Sequence, residues 1–494
     1  MQEETILDLK ITGGWVIDGS GAPRRRADVG IAGERIAAIG DLSGRAARRQ
    51  LDARGRIVAP GFIDVHGHDD LMFVERPDLP WKISQGITSV VVGNCGVSGA
   101  PAPLPGNTAA ALALLGKTPL FADMAGYFDT LRAQQPMINV AALVGHANLR
   151  LAAMADPSGT PSASEQAAME AMLDRSLEAG AVGFSTGLAY DPGAAAQAAE
   201  LEGLARVAAR HGCLHTSHIR NESDAVEAAV DEVLHVGRAT GCATVLSHHK
   251  CMLPRNWGRS QATLASVDRA RAQGVDVALD IYPYPGSSTI LIPERADIID
   301  DIRITWSTPH PECSGESLAD IAARWGCGKT EAARRLSPAG AIYFAMDEAE
   351  VQRIFRHECC MVGSDGLPND ARPHPRLWGT FPRILGRYVR EAQIMTLEQA
   401  VAKMTALPAR VFGLADRGAL RPGAWADVVV FDADTVVDRA TWDAPTEASA
   451  GIEAVLVNGT QVYPAASQTR RPGRILRRQA QAPDARSHPS KETL

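Results

Sequence analysis

Along the middle of the chain the hydrophobic residues come in short runs that end abruptly in polar ones: FIDVHGH, TSVVVGNCG, VAALVGHAN, AVGFSTG, CLHTSHIR, ATVLSHHK, VDVALDIYPY and CCMVGSDG. Each reads as a strand, and Ala-rich amphipathic stretches separate most of them. SASEQAAMEAMLDRSLEAG shows the type: apolar residues recur at helical spacing, Ser164 stands as the N-cap and Gly180 ends the helix. Eight strands alternating with helices imply parallel pairing, and eight such units close into a (β/α)8 TIM barrel. A doubly wound open sheet is the structural alternative, but no G-x-G-x-x-G opens a βα turn.

The two ends of the chain have another texture. DLKITGGWVIDGSG and ADVGIAGERIAAIG alternate apolar and polar residues between Gly-rich breaks, and a similar pattern returns in GALRPGAWADVVVFDAD and GIEAVLVNGTQVY. Strand-rich pieces at opposite ends can pair, because domain termini often lie close together. The predicted organisation is an α/β barrel over 61–414 with a small β-sandwich domain built from residues 1–60 and 415–480. Between VDVALDIYPY and CCMVGSDG lie about 80 residues, too many for a plain crossover, so a lid or specificity insertion is expected at about 285–350. The C-terminal tail, 481–494, lacks apolar periodicity and is expected at the surface with a frayed end.

Composition narrows the function classes. Hydrophobic residues make up 45% and charged residues 22%, which is a globular balance. The 57 acidic and 50 basic residues are mixed along the chain, so no basic face points to nucleic acid. No segment approaches about 20 uninterrupted apolar residues, so no membrane span is expected. The start, MQEETILDLK, lacks the layout of a secretory signal, and eight cysteines without finger spacing read as reduced thiols; both favour the cytoplasm. Oligomeric state is not legible.

In such a barrel the C-terminal ends of the strands build the active site. The metal-capable groups falling there are His66, His68, Cys95, His146, His218, His248 and Asp365. His66 and His68, two residues apart on an extended segment, project to the same side. Imidazole, thiolate and carboxylate together suit a borderline-soft divalent ion, Zn2+ first. A lone histidine is more often a core residue with a hydrogen bond, but seven such groups at strand ends are hard to explain as packing.

PGFIDVHGHDD near the N-terminus and SDG on the last strand, with a split β domain around the barrel, resemble the amidohydrolase superfamily. More narrowly, GNCG, HTSHIRNE, SHHK and VGSDG in that order resemble the N-acyl-D-amino-acid deacylases (D-aminoacylases). The resemblance covers about residues 5 to 478. It implies a zinc tightly held by Cys95, His218 and His248, and a neighbouring second position, weakly filled or empty, at His66 and His68 with Asp365 beside it. Many relatives outside this subgroup bridge two metals with a carboxylated lysine from the fourth strand. Here that strand reads AVGFSTGLAY, without lysine, and Cys95 is the expected replacement. His215 and His249 are expected to be structural. His146 stands as a second group that polarises a carbonyl or orients a neighbour.

Zinc lowers the pKa of a bound water from about 16 to about 7, giving a hydroxide at neutral pH that can attack a polarised amide carbonyl. The leaving amine needs a proton, and Asp365 is the expected shuttle. Lys250, Tyr282 and Arg376 match positions that the family uses for the substrate carboxylate. Tyr190 and the hydroxyls of Ser287 to Thr289 are expected near the pocket. Arg295 offers a further cation that only an acidic substrate side chain would need, which predicts N-acyl-D-glutamate over N-acyl-D-leucine. The D stereochemistry follows from the resemblance alone. Two other readings share the fold: a cyclic amidase of the hydantoinase type, which generally has the missing lysine, and a metal-free scaffold, which would have lost ligands that this chain keeps.

Overall fold

In the computed structural model, which describes residues 6–464 and 470–479, the eight apolar runs form one parallel sheet. The strands are β1 (Phe62–Asp64), β2 (Ile87–Val92), β3 (Asn139–Gly145), β4 (Gly183–Gly187), β5 (Leu214–His218), β6 (Ala243–Leu246), β7 (Val277–Ile281) and β8 (Cys360–Val362). They pair in chain order. Almost every position is buried, which explains why the runs are apolar throughout: helices cover one face of the sheet and the barrel interior the other. The sheet closes on itself through β1 and β8. The Val65 amide donates to the Val362 carbonyl at 3.3 Å, the Asp365 amide donates to the His66 carbonyl at 2.7 Å, and Gly67 bridges Gly366. That closure brings His66, His68 and Asp365 side by side.

The representative helix spans Ala163–Ala179, and its cap corrects the sequence reading. Ser162, not Ser164, is the N-cap: it accepts from the Glu165 amide while the Glu165 side chain bonds back, a capping box. Gly180 ends the helix as expected, at φ 121°.

Both chain ends contribute to two further sheets. One joins Leu7–Thr12, Asp28–Ala32, Arg35–Gly40 and Ala47–Asp52; the other carries Val428–Phe431 and Ile452–Val457 beside Ile57–Pro60. Leu9, Ile11, Val29, Ile31, Val58, Val428 and Leu456 pack between them. The chain from 470 returns to the barrel, where the Leu476 amide donates to the Val140 carbonyl at the start of β3, at 2.7 Å. The predicted tail at 481–494 lies outside the described residues.

Between β7 and β8 the chain builds a three-stranded antiparallel sheet from Ser287–Ile290, Ala339–Tyr343 and Ile302–Ser307, with helices Leu318–Trp325 and Lys329–Leu336. Its first strand reaches over the C-terminal mouth of the barrel. Among the described residues no helix is long and apolar enough to cross a membrane.

Candidate active site

Cys95 sits in the turn after β2, and its neighbours explain the local sequence. Gly93 and Gly96 adopt φ 79° and 80°; a Cβ at Gly93 would lie 2.2 Å from the Leu143 carbonyl oxygen, and one at Gly96 2.6 Å from the Gly187 amide nitrogen. Only glycine lets the turn press against β3 and β4. Cys95 itself is left-handed at φ 54°, as are His248 at 35° and Asp365 at 48°. Non-glycine residues held there are uncommon and cluster at functional sites. Sequence patterns carry no direct signal for this.

The Cys95 sulfur lies 3.2 Å from His66 Nε2 and 3.3 Å from His248 Nε2. Cys95, His218 and His248 present donor atoms within 4.8 Å of one another, and so do His66, His68, Cys95 and Asp365. All are buried. The two groups therefore adjoin across one sulfur. Neither ring nitrogen of His218 has a hydrogen-bond partner, although the side chain is buried. Orphaned nitrogens beside a thiolate are what a bound divalent ion would satisfy, and a donor set of imidazole nitrogens with one thiolate sulfur suits zinc.

Charge in the site follows from these contacts. Burial alone would raise the Cys95 thiol, but the imidazoles of His66 and His248 hold it well below its usual range. Burial pushes His218 down, leaving the neutral imidazole that a metal ligand requires. Burial would lower His68, yet its hydrogen bond to Asp365 and the Cys95 charge raise it to about 9. Asp365 is kept well below the usual carboxylate range: burial would raise it, and the Arg376 guanidinium, then His66 and His248, reverse this. Asp365 Oδ1 is 3.1 Å from His68 Nε2, and Oδ2 is 2.9 Å from Arg376 Nη1.

A narrow cavity opens onto this cluster, lined among others by Tyr190, Glu222, Lys250, Tyr282, Ser287 and Arg295. The Tyr190 hydroxyl bonds Thr289 Oγ1 at 2.9 Å, and its ring meets His218 edge-on at 4.7 Å. Arg295 is half-buried over the Tyr343 ring, 5.5 Å from its centre. Arg376 stands behind Asp365 rather than on the cavity wall: Nη2 donates to the Ser288 carbonyl at 2.9 Å, and the guanidinium lies 4.4 Å from the centre of the Tyr282 ring.

His146 is a correction. It does not line the cavity; its Nε2 lies 2.7 Å from Glu200 Oε1, and Arg150 Nη1 closes on both oxygens of the same carboxylate at 2.6 Å. All three side chains are nearly inaccessible, and losing one partner of such a buried pair costs about 3–5 kcal/mol. His146 is therefore held by packing and pairing. His215 stacks on Phe184 at 4.5 Å, and His249 Nε2 lies 2.8 Å from Thr263 Oγ1, both away from the donor cluster.

Two carboxylates escaped the sequence reading. Glu222 Oε1 lies 2.5 Å from Lys250 Nζ and 3.3 Å from His248 Nδ1, so it orients a donor imidazole and neutralises the lysine. Lys250 Nζ is itself 2.8 Å from His248 Nδ1. Asp280 on β7 lies 3.3 Å from His66 Nδ1 and accepts from the His248 amide at 3.0 Å. The signals were present: Glu222 closes HTSHIRNE, four residues after His218, and Asp280 is a lone charge inside the apolar run VALDI.

A closed parallel barrel with a mixed imidazole, thiolate and carboxylate cluster at its C-terminal mouth defines a metal-dependent hydrolase of the amidohydrolase kind, and the chain belongs to the amidohydrolase family, which matches residues 49–324 and 330–463. Within it, the chain is 81% identical over 480 residues to the N-acyl-D-glutamate deacylase of Alcaligenes xylosoxydans xylosoxydans, covering 97% of this chain and 98% of that one. It is also similar to the crystal structure of the N-acyl-D-glutamate deacylase from Bordetella bronchiseptica complexed with zinc and a phosphonate inhibitor that mimics the tetrahedral intermediate. That likeness has a TM-score of 0.95 and 78% identity over 96% of this chain and all of that one. A D-aminoacylase structure, described as having a binuclear metal centre with one-metal activation and second-metal attenuation, aligns with a TM-score of 0.92 and 47% identity over 96% of this chain and 100% of that one.

Proposed function

We propose that the protein is a zinc-dependent hydrolase that cleaves the amide bond of N-acyl-D-amino acids, N-acyl-D-glutamate first, to a carboxylate and the free D-amino acid. The observation that carries this is the convergence of Cys95, His218 and His248 beside the buried Asp365, in a chain 81% identical to an N-acyl-D-glutamate deacylase.

Cys95, His218 and His248 would hold one zinc tightly, and His66 and His68 with Asp365 a weaker second ion. Zinc bound there supplies a Lewis acid for the amide carbonyl and acidifies the attacking water. The remaining work falls to side chains. Asp365, ionised by its guanidinium neighbour, accepts the proton of the attacking water and delivers it to the leaving nitrogen, which cannot depart as an anion. Lys250 and Tyr282 form the corner for the substrate's α-carboxylate, with the ammonium facing the Tyr282 ring. Arg376, expected there from the sequence, is buried behind Asp365 and acts by holding that carboxylate ionised. Tyr190 and Ser287 contribute hydroxyls to the same wall. Arg295 receives the second carboxylate of a glutamate side chain; a neutral side chain would leave that cation unpaired. The cytoplasm is the proposed location, supported by eight cysteines that are all free.

The test is a screen of zinc-loaded protein against N-acetyl and N-formyl D- and L-amino acids. The expected result is a kcat/KM for the D-glutamate derivative at least about tenfold above that for D-leucine, a difference of about 1.4 kcal/mol in transition-state binding, with no turnover of the L enantiomers. Preferred turnover of L substrates, or of cyclic amides alone, would reject it.

A further inference from the structure

We propose that Lys82 is a positioning residue of this hydrolase: its buried ammonium ties the ends of β1 and β8 together and thereby sets where Asp365 stands against His66 and His68. The proposal rests on the hydrolase reading above and goes beyond it. Lys82 lies on the short helix Pro80–Ile83, and its side chain is fully inaccessible. Its ammonium donates to Asp64 Oδ2 at 2.7 Å and to Ser364 Oγ at 3.0 Å, and forms an ion pair with Asp69 Oδ2 at 2.9 Å.

Each of those partners adjoins the site. Asp64 Oδ1 accepts from the His66 amide at 3.2 Å and from the Ser364 amide at 2.8 Å. Asp69 follows His68 directly and accepts from Trp81 Nε1 at 2.7 Å. Ser364 precedes Asp365, donates its hydroxyl to Asp64 Oδ2 at 2.6 Å and accepts from the Gly366 amide at 3.2 Å. The network thus grips the backbone on both sides of the two histidines and on both sides of Asp365.

The fit under the histidines is close. A Cβ on Gly67, between His66 and His68, would lie 2.6 Å from Asp69 Oδ2 and 3.5 Å from Lys82 Nζ. Two carboxylates in a dry site repel, so a cation between them decides whether the arrangement holds. Burial alone would lower the Lys82 ammonium, but Asp64 and Asp69 raise it above its usual value, so it is charged. Lys82, Asp64 and Asp69 do not line the cavity. Their effect on turnover must pass through the residues they hold.

The test compares the zinc-loaded full chain with Lys82→Met and Ser364→Ala on two substrates. One is N-acetyl-D-glutamate; the other is the matching acetate ester of D-2-hydroxyglutarate, whose departing alkoxide needs a proton less than an amine does. For Lys82→Met we expect about one zinc per chain, KM on the amide within about threefold of the parent, and kcat on the amide about 100-fold lower. The loss on the ester should be at least about fivefold smaller, because a displaced Asp365 harms proton delivery most where the leaving group needs it. A merely structural role would lower both substrates alike. Equal losses on amide and ester, or parental kcat, would overturn the proposal. Should Lys82→Met not fold, Ser364→Ala decides: about tenfold lower kcat with the same amide bias is expected, and parental kcat would overturn it. A parent protein inactive on the amide would sink the functional reading and this proposal with it, whereas an active parent with unaffected variants sinks only the latter.

Discussion

Two donor groups share the Cys95 sulfur, and they differ in what already holds them. In the group of Cys95, His218 and His248, His218 has no hydrogen-bond partner on either nitrogen and its imidazole is kept neutral by burial. In the group of His66, His68 and Asp365, the carboxylate already accepts from His68 and pairs with Arg376, while His66 leans on Asp280. In the first group His218 alone is unpartnered, since the Cys95 sulfur already lies 3.3 Å from His248 Nε2; in the second every side chain already has a partner. That contrast underlies the proposal that the first group holds its ion more tightly and that Asp365, in the second, moves protons.

The largest effect is expected from Cys95→Ala. Because both groups use that sulfur, the variant should retain no zinc after dialysis and lose about 10⁴-fold or more in kcat/KM. One zinc per chain by metal analysis would break the comparison. Asp365→Asn comes next: the zinc at Cys95, His218 and His248 should persist while kcat falls about 10³-fold, since the proton shuttle is gone together with the charge that pairs His68 and Arg376. Near-parental hydrolysis by that variant would reassign the shuttle. A smaller effect is expected from Glu222→Gln, which loosens His248 from behind. Zinc affinity, read by competition with a chelator, should weaken about 10- to 100-fold, and an unchanged affinity would show that Glu222 serves Lys250 alone. Smallest is Arg295→Ala, which should leave zinc untouched and reduce the preference for N-acyl-D-glutamate over N-acyl-D-leucine by about tenfold. An unaltered ratio of kcat/KM values would move the specificity elsewhere in the cavity.

Much of the barrel was legible because strands buried on both faces must be apolar along their length, and each run stopped where its side chains reach the mouth. TSVVVGNCG became β2 and the turn holding Cys95; CCMVGSDG became β8 and the turn holding Asp365. His146 misled for the same reason. It too follows an apolar run, at the end of β3, but its partner Glu200 lies 54 residues away on another helix and turns it aside. Ser164 misled at shorter range: it and Ser162 both precede the helical run, and the capping box with Glu165 selects Ser162.

Periodicity along the chain is a local property, so the order of strands, the breaks between them and the residue types at their ends can all be read in one dimension. Partnerships are not local. Asp64 and Ser364 lie 300 residues apart, and His68 and Asp365 297; Lys82 inside PWKI gives no hint that it sits between two carboxylates. Their meeting depends on the closing of the barrel through β1 and β8, and the pairing of Lys250 with Glu222 on two neighbouring strands ending side by side. Closure fixes distances between strand ends that no sequence spacing encodes, and those distances settle which charges are satisfied and which lone pairs remain free.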